Sequence, residues 1–174
     1  MKLSLIAMLI SLGSCGEGRS DSRIRIRDVP TTQTTPSPVV SYHRLVRTVS
    51  LLPERKLLVA PGSAGFVSGQ DAFQNCLAKS SCRALATSAS RVEVVLGIYQ
   101  NLGSYVGDDA VGGKHPLTGR AVWVVVFRDT LIPAFGPGQD TRGTAFTLVD
   151  ATTGAPREGF FTGLAPAAAD LESL

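Results

Sequence analysis

Apolar and polar residues recur at helical spacing in one segment of the chain. Ser68 is a good N-cap residue, and Asp71 stands three positions later, where an acid complements the helix dipole. Val67 can pack against Ala72 as a hydrophobic staple. The apolar stripe that follows consists of Ala72, Phe73, Cys76 and Leu77. The pattern therefore predicts one main helix that begins after Ser68 and includes Cys76.

Strand patterns dominate the second half of the chain. Val92–Tyr99 is rich in β-branched residues, and Ala121–Arg128 is almost wholly apolar, as expected of a central strand covered on both faces. Thr144–Val149 alternates and then meets the turn Asp150–Gly154. Glu158–Thr162 is expected to return as the last strand of a hairpin.

The remaining segments have weaker patterns. Val39–Leu52 and Leu57–Ala60 fit either short strands or loosely packed extended chain, and Ala84–Ser90 is a small-residue connection left unassigned. Residues 166–174 are expected to be frayed. The sequence thus predicts an α+β fold in which one main helix packs on a small antiparallel sheet of three to five strands.

The first residues have the pattern of an export signal. Lys2 precedes the apolar run Leu3–Leu12, and two small residues follow before Cys15. A ten-residue helix rises about 15 Å, half of a ~30 Å hydrocarbon core, so the run is a poor membrane span. We therefore expect residues 1–14 to be a signal peptide.

The end of this signal is more specific. The sequence Leu12-Gly13-Ser14-Cys15 resembles the lipobox of bacterial lipoproteins. The resemblance implies that Cys15 receives a diacylglyceryl group, which anchors the chain in the lipid bilayer at the extracytoplasmic face of the cell membrane. The alternative is an ordinary secretory signal in which Cys15 is incidental.

The segment after the anchor differs in composition from the rest. Residues 15–38 are rich in Ser, Thr, Pro and Arg and have few apolar side chains, so they are expected to form a flexible tether. The basic residues near the anchor fit either weak attraction to an anionic membrane or simple solubilisation. No dense basic face or groove-reading motif is present, and a nucleic-acid partner is not expected. Residues 39–165 are predicted to form a single domain.

The other two cysteines are separated by five residues. Outside the reducing cytosol, a pair such as Cys76 and Cys82 is most simply a disulfide. A metal site is the alternative, but it requires more ligands, and His43 and His115 have no ligand partner at metal-site spacing. We expect no metal and no cofactor.

The order of elements also carries a resemblance. Ala121–Phe127 and Leu148–Gly154, preceded by the Ser68–Cys76 helix, resemble the small PepSY or cystatin-like modules of bacterial envelope proteins. The cysteine pair is not part of that pattern. The resemblance implies an α+β domain without catalytic residues that binds or restrains a protein or peptide partner.

Catalytic motifs are missing from the sequence. Neither His-Glu-x-x-His nor Gly-x-Ser-x-Gly occurs, and His115 is predicted to lie in an exposed loop. Asp108 and Asp109 lack the rest of a calcium loop and are expected to be solvated. Tyr99 and Tyr105 flank the Gly/Asn loop that precedes these aspartates and are candidates for a recognition surface. The chain is therefore predicted not to be an enzyme; a small extracytoplasmic hydrolase with an unrecognised site and a structural envelope spacer are the alternatives.

Overall fold

The computed structural model describes residues 38–103, 115–134, 138–162 and 166–174. All of them belong to one compact unit, Thr35–Leu174. The described residues form eight strands and two α-helices: β1 (Val39–Leu45), β2 (Val49–Leu52), β3 (Arg55–Leu58), α1 (Gly69–Leu77), α2 (Ser80–Ser88), β4 (Arg91–Asn101), β5 (Ala121–Ile132), β6 (Thr141–Asp150), β7 (Pro156–Thr162) and β8 (Leu171–Ser173). The predicted signal peptide and nearly all of the predicted tether lie outside these residues.

The eight strands form a single curled sheet, in the manner of a half-barrel. The order β2-β3-β4-β5-β6-β7 is antiparallel throughout. The long strand β4 has two neighbours on one side: β1 runs parallel to its first half and β3 antiparallel to its second half. β8 pairs with the outer side of β1.

The predicted fold class is wrong. The structure is largely an antiparallel sheet of eight strands with two helices of nine residues each, not one main helix on a small sheet. The strands β1, β2 and β3 lie in Val39–Leu58, where the sequence left short strands and loosely packed extended chain open, and β8 lies in the tail that was expected to fray. β1 and β3 pair with β4, and β8 pairs with β1, so these partners come from distant parts of the chain. Long-range pairing of this kind outweighs weak local preference.

The central strand β5 is buried on both faces, which explains its unbroken apolar sequence. Trp123, Val125 and Phe127 belong to the core that α1 and α2 cover. The alternate residues Val122 and Val124 belong to a second core on the opposite face, together with side chains from β1, β2, β3 and β6. The sheet therefore separates two apolar layers, and its curl encloses the second one.

The helices cover the first layer. α1 begins as the sequence predicts: the Asp71 amide donates to the Ser68 hydroxyl at 3.0 Å, while Ala72 and Phe73 are buried. α2 occupies part of the segment that the sequence left unassigned. The Cys76 and Cys82 sulfurs are at disulfide distance, and their Cα atoms lie 5.7 Å apart, within the range that a disulfide bridges. The bridge joins the end of α1 to the start of α2.

The C-terminal residues pair with the sheet instead of fraying. A short 3-10 helix, Ala168–Asp170, precedes β8, which lies antiparallel to β1. The Val46 amide donates to the Asp170 carbonyl at 2.9 Å, and the Asp170 carboxylate forms an ion pair with Arg47.

None of the helices in the described part of the chain has the length and apolar character needed to span a membrane.

We predict that Trp123→Ala lowers the free energy of unfolding by about 3–5 kcal/mol, because it opens a large cavity in a packed core. Trp123 is only 2% exposed, and its Nε1 donates to the Val67 carbonyl at 2.9 Å, so the variant also leaves that carbonyl unpaired. Chemical denaturation of the full-length chain measures the change. Leu102→Ala, at a residue 62% exposed, is the control and should change the value by less than about 0.5 kcal/mol. Equal effects of the two variants would contradict the assignment of Trp123 to the core.

Candidate functional site

A groove of about 450 Å³ lies between α2 and β7, the strand that ends the order β2-β3-β4-β5-β6-β7. The helix wall includes Lys79, Ser81 and Leu85, and the strand wall includes Arg157, Gly159 and Phe161. The groove therefore runs along an edge of the sheet, on the face that the helices cover.

The turn before β7 sets the position of this strand. The Asp150 carboxylate accepts from the amides of Thr152 and Thr153 at 2.9 and 3.1 Å, and Gly154 takes a positive φ of 71°. This compact turn returns the chain along β6. Phe160 then stacks on Phe146 of β6 with ring centroids 5.2 Å apart, in the enclosed apolar layer.

Alternate side chains of β7 point to opposite faces of the sheet, as in any strand. Glu158 and Phe160 face the enclosed layer, whereas Arg157, Gly159 and Phe161 border the groove. Among the described residues, β7 pairs only with β6. One side of its backbone consequently has no strand neighbour there, and such an edge can accept another strand.

The helix wall of the groove is fixed to the sheet at both ends. At its start, the buried Cys82 sulfur lies 3.5 Å from the Thr147 hydroxyl of β6. Near its end, the Thr130 hydroxyl of β5 donates to the Leu85 carbonyl at 2.8 Å and lies 2.7 Å from the Ser88 hydroxyl. These contacts preorganise the groove, which reduces the entropic cost of filling it.

The charged side chains at the groove are mostly basic. Lys79 and Arg157 are exposed on opposite walls, and within the described part of the chain neither forms an ion pair. Glu158 also borders the groove, but its carboxylate is held on the other face of the sheet by Arg55 and His115. The open charge at the groove is therefore positive.

The other face of β7 carries a polar cluster inside the curl of the sheet. Glu158 Oε1 lies 2.7 Å from Arg55 Nη1 of β3, and Glu158 Oε2 lies 2.6 Å from His115 Nε2. The Arg55 guanidinium lies 4.6 Å above the Phe160 ring, a cation–π contact. Since three strands separate β3 from β7 in the sheet, these contacts span its concave face and hold β7 in place.

His115 is buried, contrary to the prediction of an exposed loop. Its side chain is only 3% exposed, and its Nδ1 accepts from the Leu117 amide at 3.1 Å. Because Nδ1 accepts a hydrogen bond, the proton of the neutral ring belongs on Nε2, which faces Glu158. Both ring nitrogens are therefore engaged within the protein.

Tyr99 lies inside the same cluster and does not form part of a recognition surface. Its ring is fully buried and contacts the His115 ring edge-on at 5.3 Å between centroids. Burial raises the pKa of Tyr99 to about 12; the positive charge of Arg55 opposes this shift and the negative charge of Glu158 adds to it. The hydroxyl consequently stays protonated at neutral pH.

Of the remaining residues singled out from the sequence, His43 is described by the structure and does not join this site. His43 is half-buried on β1, and the described residues contain no group of three His, Cys, Asp or Glu side chains that could hold a metal ion. Cys15, Tyr105, Asp108 and Asp109 lie outside the described residues.

Comparison of the chain with protein families, with curated proteins and with solved structures finds no match. The resemblances to lipoproteins and to PepSY or cystatin-like modules therefore stay predictions. The groove has to be interpreted from its own geometry.

We predict that Arg55 and Glu158 are strongly coupled in stability. A double-mutant cycle with Arg55→Met and Glu158→Gln should give a coupling of about 1–3 kcal/mol, because both side chains are mostly buried, at 21% and 24% exposure. The matched control is the exposed pair Arg44–Glu172, whose cycle should give less than about 1 kcal/mol. Urea denaturation measures both. Similar couplings for the two pairs would show that the cluster does not hold β7.

Proposed function

We propose that the chain is a membrane-tethered extracytoplasmic module without catalytic activity, which binds an extended segment of a protein or peptide partner along β7. The observation that carries this proposal is the groove between α2 and the edge strand β7. Tethering rests on the lipobox-like sequence that ends at Cys15.

Strand addition uses the two features that meet at this edge. On the side of β7 that faces away from β6, where the described residues supply no strand neighbour, backbone groups could donate and accept hydrogen bonds irrespective of the partner's sequence, which would supply affinity. Every second side chain of an added strand would then point toward the groove, which supplies selectivity. A volume of about 450 Å³ is large enough for such side chains.

The hydrolase alternative draws on one specific observation. His115 meets both an acid, Glu158, and a hydroxyl, Tyr99, inside the curled sheet. Three features favour a structural role for this cluster. Arg55 pairs with the acid, the Leu117 amide occupies His115 Nδ1, and the raised pKa of Tyr99 opposes formation of a nucleophilic phenolate. A purely structural spacer would need neither the open edge nor the groove.

We predict that Cys15→Ala moves the protein from the membrane fraction to the soluble or unprocessed pool, because the variant removes the only proposed site of lipid attachment. Metabolic labelling with a fatty-acid analogue, followed by fractionation, measures this. Cys82→Ala is the control, since it removes a different cysteine and should keep the label. Equal labelling of wild type and Cys15→Ala would refute the anchor.

We also predict that a partner in cells contacts the groove. A photo-crosslinking amino acid at Phe161, which lines the groove, should yield a discrete crosslinked species. The same probe at Val39 or Val46, which are exposed on and after β1, should not. Ser81→Trp fills the groove from its exposed helix wall and should abolish the Phe161 crosslink, whereas Ser81→Ala should keep it.

Mass spectrometry of the species identifies the partner and the crosslinked segment. Two outcomes would contradict strand binding at β7: crosslinks of equal yield from Phe161 and Val39, or a Phe161 crosslink that persists in Ser81→Trp. Thermal melting of each variant establishes that the fold is kept.

A further inference from the structure

We infer that the segment bound along β7 is acidic, with a carboxylate side chain that meets Lys79 and Arg157 across the groove. This inference rests on the proposed function and adds the chemistry of the partner. It concerns the side chains that an added strand would place in the groove.

Two basic residues contribute to the groove, one from each wall. Lys79 is the N-cap residue of α2 and Arg157 is the second residue of β7, so they stand on opposite walls of one groove. Both are exposed, and within the described ranges neither has an acidic partner. The first turn of α2 also contains no acid. A carboxylate between these walls would gain two opposite charges and displace no existing ion pair.

The neighbouring acid does not cancel this charge. Glu158 alternates with Arg157 along β7, and its carboxylate points into the enclosed layer, where Arg55 and His115 hold it. The strand thus has its acidic side chain on one face and its basic side chain on the other. A bound segment would meet the basic face.

The apolar part of the groove fixes the spacing of the partner's side chains. Leu85 lies six residues after Lys79, about 9 Å farther along the helix axis. Side chains on one face of a strand repeat about every 7 Å. For a bound strand that runs alongside α2, the pattern that fits is therefore an acidic and an apolar residue two positions apart.

Two other occupants are disfavoured by charge. A second copy of this chain, paired edge to edge through β7, would bring two positive grooves together. The stretch Arg23–Arg27 of this chain, in which arginine and isoleucine alternate, carries three arginines and would meet basic walls. An acidic segment of another protein is the occupant that complements them.

Designed peptides test the inference on the purified full-length chain. The acidic probe is a fluorescein-labelled peptide with the sequence Thr-Glu-Thr-Val-Thr-Glu-Thr-Val, and the matched probe has Lys in place of each Glu. Fluorescence anisotropy should show at least about tenfold tighter binding of the acidic probe at low salt. The difference should shrink at high salt, because exposed charges are screened.

Variants connect this preference to the two walls. Neutralising both residues, in Lys79→Gln/Arg157→Gln, should weaken the acidic probe by about threefold to tenfold, since each exposed charge pair contributes modestly. Arg83→Gln is the matched control: it removes an exposed charge from α2 outside the groove walls, and the change should stay below about twofold.

Each result decides between defined outcomes. Equal binding of both probes, or no effect of the double variant, overturns the acid preference and leaves strand addition at β7 standing. Binding of neither probe also overturns the inference, whereas the crosslinking pattern at Phe161 decides the proposed function separately. Sedimentation that shows a dimer disrupted by Ser81→Trp would overturn it in favour of a second copy.

Discussion

Burial of β5 on both faces is the constraint on which the rest of the structure depends. Each face of this strand presents large apolar side chains, and each buried side chain of this kind contributes about 1.5–3 kcal/mol. Two separate covers are therefore required. The helices α1 and α2, joined through Cys76 and Cys82, supply one cover. The sheet supplies the other by curling over its own second face.

The curl of the sheet brings polar side chains of β3 and β7 together on its concave face. Arg55 on β3 and Glu158 on β7 meet at 2.7 Å although three strands lie between their own strands in the sheet. A mostly buried charge pair offsets the cost of desolvation only when its geometry is good, because each partner has lost most of its water. The pair therefore fixes the position of β7 and leaves its outer edge beside α2.

The sequence predicts what depends on near neighbours and misses what depends on distant ones. The Ser68 cap, the two-sided burial of β5 and the turn at Asp150 follow from local spacing, and the structure contains all three. The predicted fold class is wrong because β1 and β8 become strands only through partners far along the chain. The prediction that His115 lies in an exposed loop is wrong for the same reason: its partner Glu158 lies 43 residues later, and no motif links the two.

The alternation of β7 gives its two faces different surroundings, and this difference supports the proposed binding along its edge. Glu158 and Phe160 face inward and contact Arg55, His115 and Phe146, so the acidic side chain of the strand is already paired and helps to hold the strand in place. Arg157 and Gly159 border the groove; among the described residues Arg157 has no ion-pair partner, and β7 has no strand neighbour besides β6. A strand whose acidic side chain is already paired on one face, and whose other face borders a groove, fits the proposed recognition of a partner.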